Sequence, residues 1–199
     1  QKSINIGLKH RFKDHANAIL ESSIILAQIM NDTVPYNPEI VEGISTEADE
    51  YLPLISPDQE IVLYTRKGSR NEFGVIDKQS EDFVFSEGSL DVHFDEGEDM
   101  PFPFNQNNNE GGASITIDNK VLYFTICSKF SSSYNNCDIY YVEKENGNWT
   151  DLKPIQSVNN PKSWESQPSI SKDGNSLIFA SDRRGGYGGI DLYIVKKDE

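Results

Sequence analysis

The sequence predicts a mainly β chain: a partial β-propeller of about three four-stranded blades, preceded by an N-terminal α-helix. Two observations lead to this fold class. One segment recurs three times without a gap, beginning at Glu50, Glu110 and Glu165, so that the copies lie 60 and then 55 residues apart. Each copy also holds short apolar runs bounded by turn residues, and four short antiparallel strands every 50 residues or so are typical of propeller blades.

Each copy begins with a semi-apolar stretch, which we predict to be the first strand, and continues into a polar turn with an aspartate at the same place. The three turn aspartates are Asp58, Asp118 and Asp173. Aspartate, asparagine and glycine suit tight hairpins because they tolerate positive φ or bond their own backbone. We therefore expect these aspartates to shape turns rather than to form a site.

An apolar run rich in β-branched and aromatic residues follows each turn, at Ile61–Tyr64, Val121–Phe124 and Leu177–Phe179. Runs of this length between turns are too short for helices, and they predict buried second strands.

The second half of the unit recurs as well. Residues 136–141, which contain Asp138, match residues 189–194, which contain Asp191, and residues 82–85 are a weaker counterpart. This match predicts a third strand in each blade.

A fourth strand is expected over residues 148–155 in the second copy and, more loosely, over residues 93–101 in the first. The propeller region is predicted to span residues 34–199. Its three repeats lie near 45–105, 106–160 and 161–199. Complete propellers have about 4 to 8 blades, and three blades would leave strand edges open, which soluble proteins avoid. We therefore expect an incomplete propeller that belongs to a longer protein.

Residues 1–33 have a different texture. Between Lys13 and Met30 the apolar residues recur with a period close to that of a helix, which predicts an amphipathic α-helix. We expect a packing helix here, either the end of a helical repeat region or a cap on the propeller.

The clearest copy of the repeat, residues 171–193, resembles the PD40 repeat, the WD40-like unit of TolB-like β-propellers. It carries the pattern Ser-x-Asp-Gly-x-x-Leu-x-Phe-x-Ser-Asp-Arg, followed by Gly-Gly-x-Gly-Gly-x-Asp-Leu-Tyr. Residues 45–58 and 123–127 are more narrowly similar to Bacteroidota cell-envelope proteins. Those proteins combine a TPR-like helical region, PD40 blades and a C-terminal OmpA-like peptidoglycan-binding domain, and they include the peptidoglycan anchor of type IX secretion and gliding.

This resemblance covers residues 34–199 and implies a non-catalytic protein-interaction scaffold in the periplasm, associated with the outer membrane. The implied partners are other envelope or secretion-system proteins. Peptidoglycan would be bound only through a domain that these 199 residues do not contain. The alternative is a propeller that gates substrate, or binds a glycan or peptide ligand, in a larger hydrolase; a Gly-x-Ser-x-Gly domain beside it would favour that alternative.

A glycine-rich loop in the third copy resembles a phosphate-binding loop at first sight. Its residues are Asp182, Arg183, Gly185, Gly186, Gly188 and Gly189, with Asp191 and Tyr193 in the strand that follows. The loop lacks the Lys-Ser/Thr pair of a P-loop and opens no helix. We expect its glycines to allow close turns and its polar residues to make structural hydrogen bonds.

The composition bears on several classes of function. There are 32 acidic and 18 basic side chains, giving a net charge of −14, and no basic patch suited to nucleic acid. No apolar run approaches the roughly 18 residues of a membrane span. The sequence shows no catalytic residues, and its two cysteines and three distant histidines predict neither a metal site nor a cofactor.

Two further features stay open. Cys127 and Cys137 fall at the end of one predicted strand and the start of its neighbour, where they form either a hairpin disulfide or two small buried thiols. Residues 81–99 hold eight carboxylates, which form a solvated loop, a weak calcium site or a surface for a basic partner.

Overall fold

The structure is a computed structural model, and it describes residues 10–31, 37–68, 80–89, 93–106, 109–131 and 134–197. The chain divides into two compact units, residues 1–39 and residues 40–199. The predicted fold class is confirmed: the first unit holds one α-helix and the second is built of antiparallel β-sheets.

The helix α1 spans His10–Asn31. Most of its apolar side chains are exposed, among them Ile24, Ile25 and Ile29, whereas Ala16 and Leu20 are half-buried. Within the described ranges, no helix combines the length and the hydropathy needed to cross a membrane.

The second unit contains thirteen strands within the described residues, grouped into three blades. Blade one consists of β1 (Asp49–Ile55), β2 (Ile61–Lys67), β3 (Glu81–Ser89), β4 (His93–Phe94) and β5 (Glu98–Asp99). Blade two consists of β6 (Asn109–Ile115), β7 (Val121–Ser131), β8 (Tyr134–Glu145), β9 (Asn148–Trp149) and β10 (Lys153–Pro154). Blade three consists of β11 (Glu165–Ile170), β12 (Ser176–Ser181) and β13 (Asp191–Lys196).

All strand pairs are antiparallel, and in each blade the first strand pairs with the second and the second with the third. The first strands lie side by side, with β6 between β1 and β11. The three sheets therefore stack in sequence order around these inner strands, which is how propeller blades are arranged.

The predicted fourth strand is divided into two short strands in blades one and two. In blade two, the turn at Asn146 and Gly147 has positive φ at both residues and folds β9 back onto the end of β8. The Thr150 hydroxyl then accepts the Glu143 N–H at 3.1 Å, so the ladder is interrupted. Pairing resumes at β10, where Lys153 lies opposite Tyr141.

Each inner strand carries a bulge at the same position. The register shifts after Tyr51, Gly111 and Ser166, and the next residue in each strand has a left-handed backbone. Those residues are Leu52, Gly112 and Gln167, with φ of 54°, 58° and 55°. A bulge of this kind bends a strand and increases its twist.

The core lies mainly between the blades. One buried cluster joins blades one and two through Leu63, Phe83, Leu122 and Phe124. The rings of Phe83 and Phe124 meet edge to face, with their centroids 5.4 Å apart. A second cluster joins blades two and three through Ile139, Val158, Leu177 and Phe179.

The opposite face of blade one is covered by its own chain. Ile44, which precedes β1, and Phe94 from β4 pack over Val62, Tyr64 and Val84. Blade one therefore has buried side chains on both faces, which follows from apolar residues at alternating and adjacent positions of β2 and β3.

Candidate functional site

The turn aspartates shape hairpins in the same way in all three blades. The hydroxyl of Ser56 donates to Asp58 at 2.5 Å and accepts the Ile61 N–H at 3.0 Å. Thr116 with Asp118, and Ser171 with Asp173, repeat the arrangement. The hydroxyl hydrogen bond holds the pKa of each aspartate below its ordinary value, so these carboxylates are committed to turns.

The glycine-rich loop of blade three closes around Asp191. One oxygen of its carboxylate accepts the N–H groups of Tyr187 and Gly188 at 2.8 and 3.0 Å. A Cβ at Gly186 would lie 2.0 Å from the same oxygen, and Gly185 has φ of 102°. Gly189 has open space around it. The donors that could have faced a phosphate are thus turned inward.

Arg183 packs against two aromatic rings that stack on each other. Its guanidinium carbon lies 4.8 Å from the Phe179 ring centroid and 5.1 Å from that of Tyr193. The Tyr193 hydroxyl donates to the Arg183 carbonyl at 3.1 Å. Beside this group, Asp182 accepts the Trp164 N–H at 2.8 Å. These residues hold blade three to the segment that precedes it.

The entry glutamates, Glu50, Glu110 and Glu165, stand at the start of the inner strands, and the side chains of Glu110 and Glu165 are fully buried. Glu50 pairs with Arg66 at 3.1 Å, and Glu165 pairs with Arg183 at the same distance. The sequence aligns these glutamates as equivalent positions but does not predict that Glu50 and Glu165 bind arginine. The recurrence of glutamate at the same position of all three copies was the signal in the sequence that could have indicated a shared role.

Glu110 differs from the other two because no cation reaches it within the described residues. Its side chain is 1% exposed, and one carboxylate oxygen accepts the Asn105 N–H at 2.9 Å. The other oxygen has no hydrogen-bond partner. Burial raises the pKa of Glu110 to about 7, because a buried carboxylate without a counterion favours its neutral form.

Cys127 and Cys137 are joined by a disulfide across β7 and β8, where they lie directly opposite each other. Nearby, Asp138 accepts a hydrogen bond from the Asn136 amide at 3.2 Å, and burial raises its pKa. In the described part of the chain, no three His, Cys, Asp or Glu side chains gather as metal ligands would.

A cavity of about 300 Å³ opens between blades one and two; we call it the first cleft. Its apolar wall includes Leu63, Phe85, Ile115 and Trp149, with Phe102 among the residues that line it. The volume suits a single side chain or a small ligand. The sequence does not predict this cleft.

Two charged side chains line the first cleft from opposite blades. Glu87 extends from β3 of blade one, and Lys144 from β8 of blade two. The Lys144 ammonium lies 5.6 Å from the Trp149 ring centroid, a cation–π contact that holds its charge on the blade-two wall.

The outer face of blade three is apolar and exposed. Ile178, Leu192 and Ile194 are 42%, 77% and 59% exposed. Leu192 lies opposite Ala180 just as Ile139 lies opposite Thr125 in blade two, and Ile139 is fully buried by blade three. The equivalent side chain is therefore covered in blade two and uncovered in blade three.

An asparagine ties each of the first two blades to the segment that leads into the next. The Asn105 side chain accepts the Phe83 N–H at 2.8 Å and donates to the Phe83 carbonyl at 2.9 Å. Asn159 makes the same two bonds to Ile139, both at 2.8 Å. We call this arrangement the asparagine clamp.

No family model matches this sequence, and no curated protein matches it. Among solved structures it is similar to the crystal structure of TolB from Acinetobacter baumannii, with 18% identity and a TM-score of 0.49. The match covers 77% of this chain and 31% of TolB, so the chain spans about a third of the length of that protein. A similarity this weak assigns no function and no residue role to this chain.

Proposed function

We propose that this chain is a non-catalytic protein-interaction scaffold of the periplasm, part of an outer-membrane- and peptidoglycan-associated envelope protein. The observation that carries the proposal is the exposed apolar face of blade three, formed by Ile178, Leu192 and Ile194. A contiguous apolar surface of this kind is typical of a face that another protein surface covers.

The chain itself indicates what covers that face. In blades one and two, the equivalent side chains Phe83 and Ile139 are buried by the next sheet, and the clamp residues Asn105 and Asn159 bind their backbone. We infer that a further β-sheet of the same repeat packs on blade three and offers an asparagine to Leu192.

One feature supports a location in the envelope, and another bears on the kind of partner. The disulfide between Cys127 and Cys137 suits an oxidising compartment such as the periplasm. The net charge of −14 suits a protein that acts through basic or polar protein partners rather than through nucleic acid. The narrower proposal, a part in type IX secretion or gliding with other secretion-system proteins as partners, is supported by the sequence resemblance alone.

The scaffold proposal is tested by photo-crosslinking in cells that produce the full protein, with benzoylphenylalanine placed at Leu192. We expect a crosslink to a β-repeat segment of a second envelope protein, identified by mass spectrometry; a crosslink confined to the protein itself would contradict the scaffold proposal. Ile117, which is exposed on the turn between β6 and β7, is the matched control and should not reach that segment. Crosslinks from Leu192 that reach no envelope protein would contradict the proposal.

A further inference from the structure

The two clefts between blades have the same construction but different occupants. We call the corresponding place between blades two and three the second cleft; it is bordered by Tyr141 on β8 and Glu143 two residues later. Phe85 and Glu87 take the same places on β3, because Phe85 lies opposite Leu63 just as Tyr141 lies opposite Tyr123. Leu63 and Tyr123 are themselves aligned copies, 60 residues apart.

A lysine of the chain lies in the second cleft, with its side chain 41% exposed. The ammonium of Lys153 binds the Glu143 carboxylate and lies 5.7 Å from the Tyr141 ring centroid. The ring of Tyr123 lies next to the ring of Tyr141, with 5.9 Å between the two centroids. The second cleft therefore holds an aromatic ring, a carboxylate and a cation that satisfies both.

The first cleft also has an aromatic ring and a carboxylate, those of Phe85 and Glu87. At the position that corresponds to Lys153, however, blade one has an acidic residue. In blade two, Lys153 on β10 lies opposite Tyr141 on β8. In blade one, Glu98 on β5 lies opposite Phe85 on β3. Directly paired residues project from the same face of a sheet, so Glu98 projects from the face of Phe85, at the rim of the first cleft, whose lining includes Glu87. Within the described residues neither Glu87 nor Glu98 forms an ion pair.

The space that remains is the cavity of about 300 Å³. Leu63 occupies the place of Tyr123, and a leucine leaves room that a tyrosine ring would fill. Lys144 on the opposite wall keeps its ammonium on Trp149. An aromatic floor beside two carboxylates attracts an ammonium group through both ring and charge.

We propose that the first cleft binds a lysine side chain of a partner protein, with its stem along Phe85 and its ammonium between Glu87 and Glu98. We infer a lysine because Lys153 occupies the equivalent position in the second cleft. The net charge of −14 also favours the approach of a basic partner. This inference rests on the proposed scaffold function, since it names the kind of partner that the scaffold takes.

The direct test is an NMR titration of the full chain with the peptide acetyl-Gly-Lys-Gly-amide. The control peptide has norleucine in place of lysine, which keeps most of the stem and removes the charge. We expect the lysine peptide to shift the amide signals of Phe85 and Glu87 and the indole signal of Trp149. The norleucine peptide should bind at least about threefold more weakly, as expected when a partly exposed ion pair is lost.

Three variants assign the binding to the cleft. Glu87→Gln should weaken lysine-peptide binding about three- to fivefold. Glu98→Lys gives blade one the lysine that blade two already has, and it should abolish binding by filling the cleft. Glu143→Gln changes the equivalent carboxylate of the second cleft and should leave binding unchanged. The melting temperature of each variant shows that it remains folded.

The inference is overturned if both peptides bind equally, or if Glu87→Gln and Glu98→Lys bind the lysine peptide as the parent does. These outcomes are separable from the scaffold test, because crosslinking at Leu192 reports on blade three and does not involve the first cleft. Loss of Leu192 crosslinks with peptide binding retained would remove the scaffold proposal and leave the lysine site.

Discussion

Glu110 is the entry glutamate whose negative charge is stabilised by the fewest interactions. Glu50 and Glu165 each have an arginine at 3.1 Å, whereas Glu110 is buried with one oxygen unpartnered. A buried carboxylate without a counterion is costly. The three blades therefore share a residue without sharing its electrostatic surroundings.

The pH dependence of stability should follow from this difference. In the unfolded chain Glu110 loses its proton near its ordinary pKa of 4.5, but in the folded chain its pKa is about 7. The unfolded state is therefore favoured as pH rises from 4.5 to 7, and the loss of stability is complete above 7. Glu110→Gln should match the parent at pH 4 and exceed it by up to about 3 kcal/mol at pH 8, as measured by urea unfolding.

Glu165→Gln is the matched control, because it changes an entry glutamate that has a counterion. It leaves Arg183 without its carboxylate partner, and breaking a buried pair on one side costs about 3 kcal/mol. The two variants should thus shift stability in opposite directions at pH 8. If Glu110→Gln also destabilises the protein there, the explanation given for Glu110 is wrong.

At the scale of the strand, the turns were predictable and the bulges were not. The aspartates at 58, 118 and 173 mark the hairpins, and the predicted apolar runs fall within β2, β7 and β12. The bulges place left-handed backbone at Leu52, Gly112 and Gln167. Only the glycine announces such a conformation, because leucine and glutamine rarely adopt it.

The bulge predicts opposite effects for two substitutions at the same position of the repeat. Gln167→Gly should stabilise the protein by about 0.5–1 kcal/mol, because glycine relieves the strain of φ near 55°. Gly112→Ala, where φ is 58°, should destabilise it by about 1 kcal/mol. Thermal unfolding of the two variants measures both changes in stability. If both variants were stabilised, or both destabilised, the result would argue against a strained bulge.

At the scale of the whole β unit, stability depends on contacts between neighbouring blades. The two inter-blade clusters have no buried member in common, and stacked units of this kind are stabilised by nearest-neighbour interfaces. The Asn159 clamp links the second of these interfaces to the backbone of Ile139 through two hydrogen bonds.

Asn159→Ala should therefore loosen blade three before the rest. It leaves the buried N–H of Ile139 without its acceptor, while the Ile139 carbonyl keeps the Ile155 N–H at 3.2 Å, and an unsatisfied buried N–H costs about 1–3 kcal/mol. Hydrogen exchange should show reduced protection in β11 to β13 while β2 and β3 keep theirs. Asn148→Ala, at an exposed position, is the control with no expected change. Uniform loss of protection would show that the blades unfold only together.

The first cleft illustrates what the sequence could not predict at this scale. The copies align without a gap only from Glu50 to Thr65 and its counterparts; beyond that, the loops differ in length. The equivalence of Glu98 with Lys153 therefore appears only once the strand registers are known. The acidic stretch was visible in the sequence, but which of its carboxylates faces a cavity was not.

The arginines of blades one and three show how a repeat can keep a bond while moving its donor. Arg66 and Arg183 each bind an entry glutamate and a carbonyl ahead of the inner strand, those of Ile44 and Val158. Yet Arg66 aligns with Ser181, two residues before Arg183. A comparison of the copies column by column would record a lost arginine, so relatives of this chain are better sought by the geometry around the glutamate than by aligned letters.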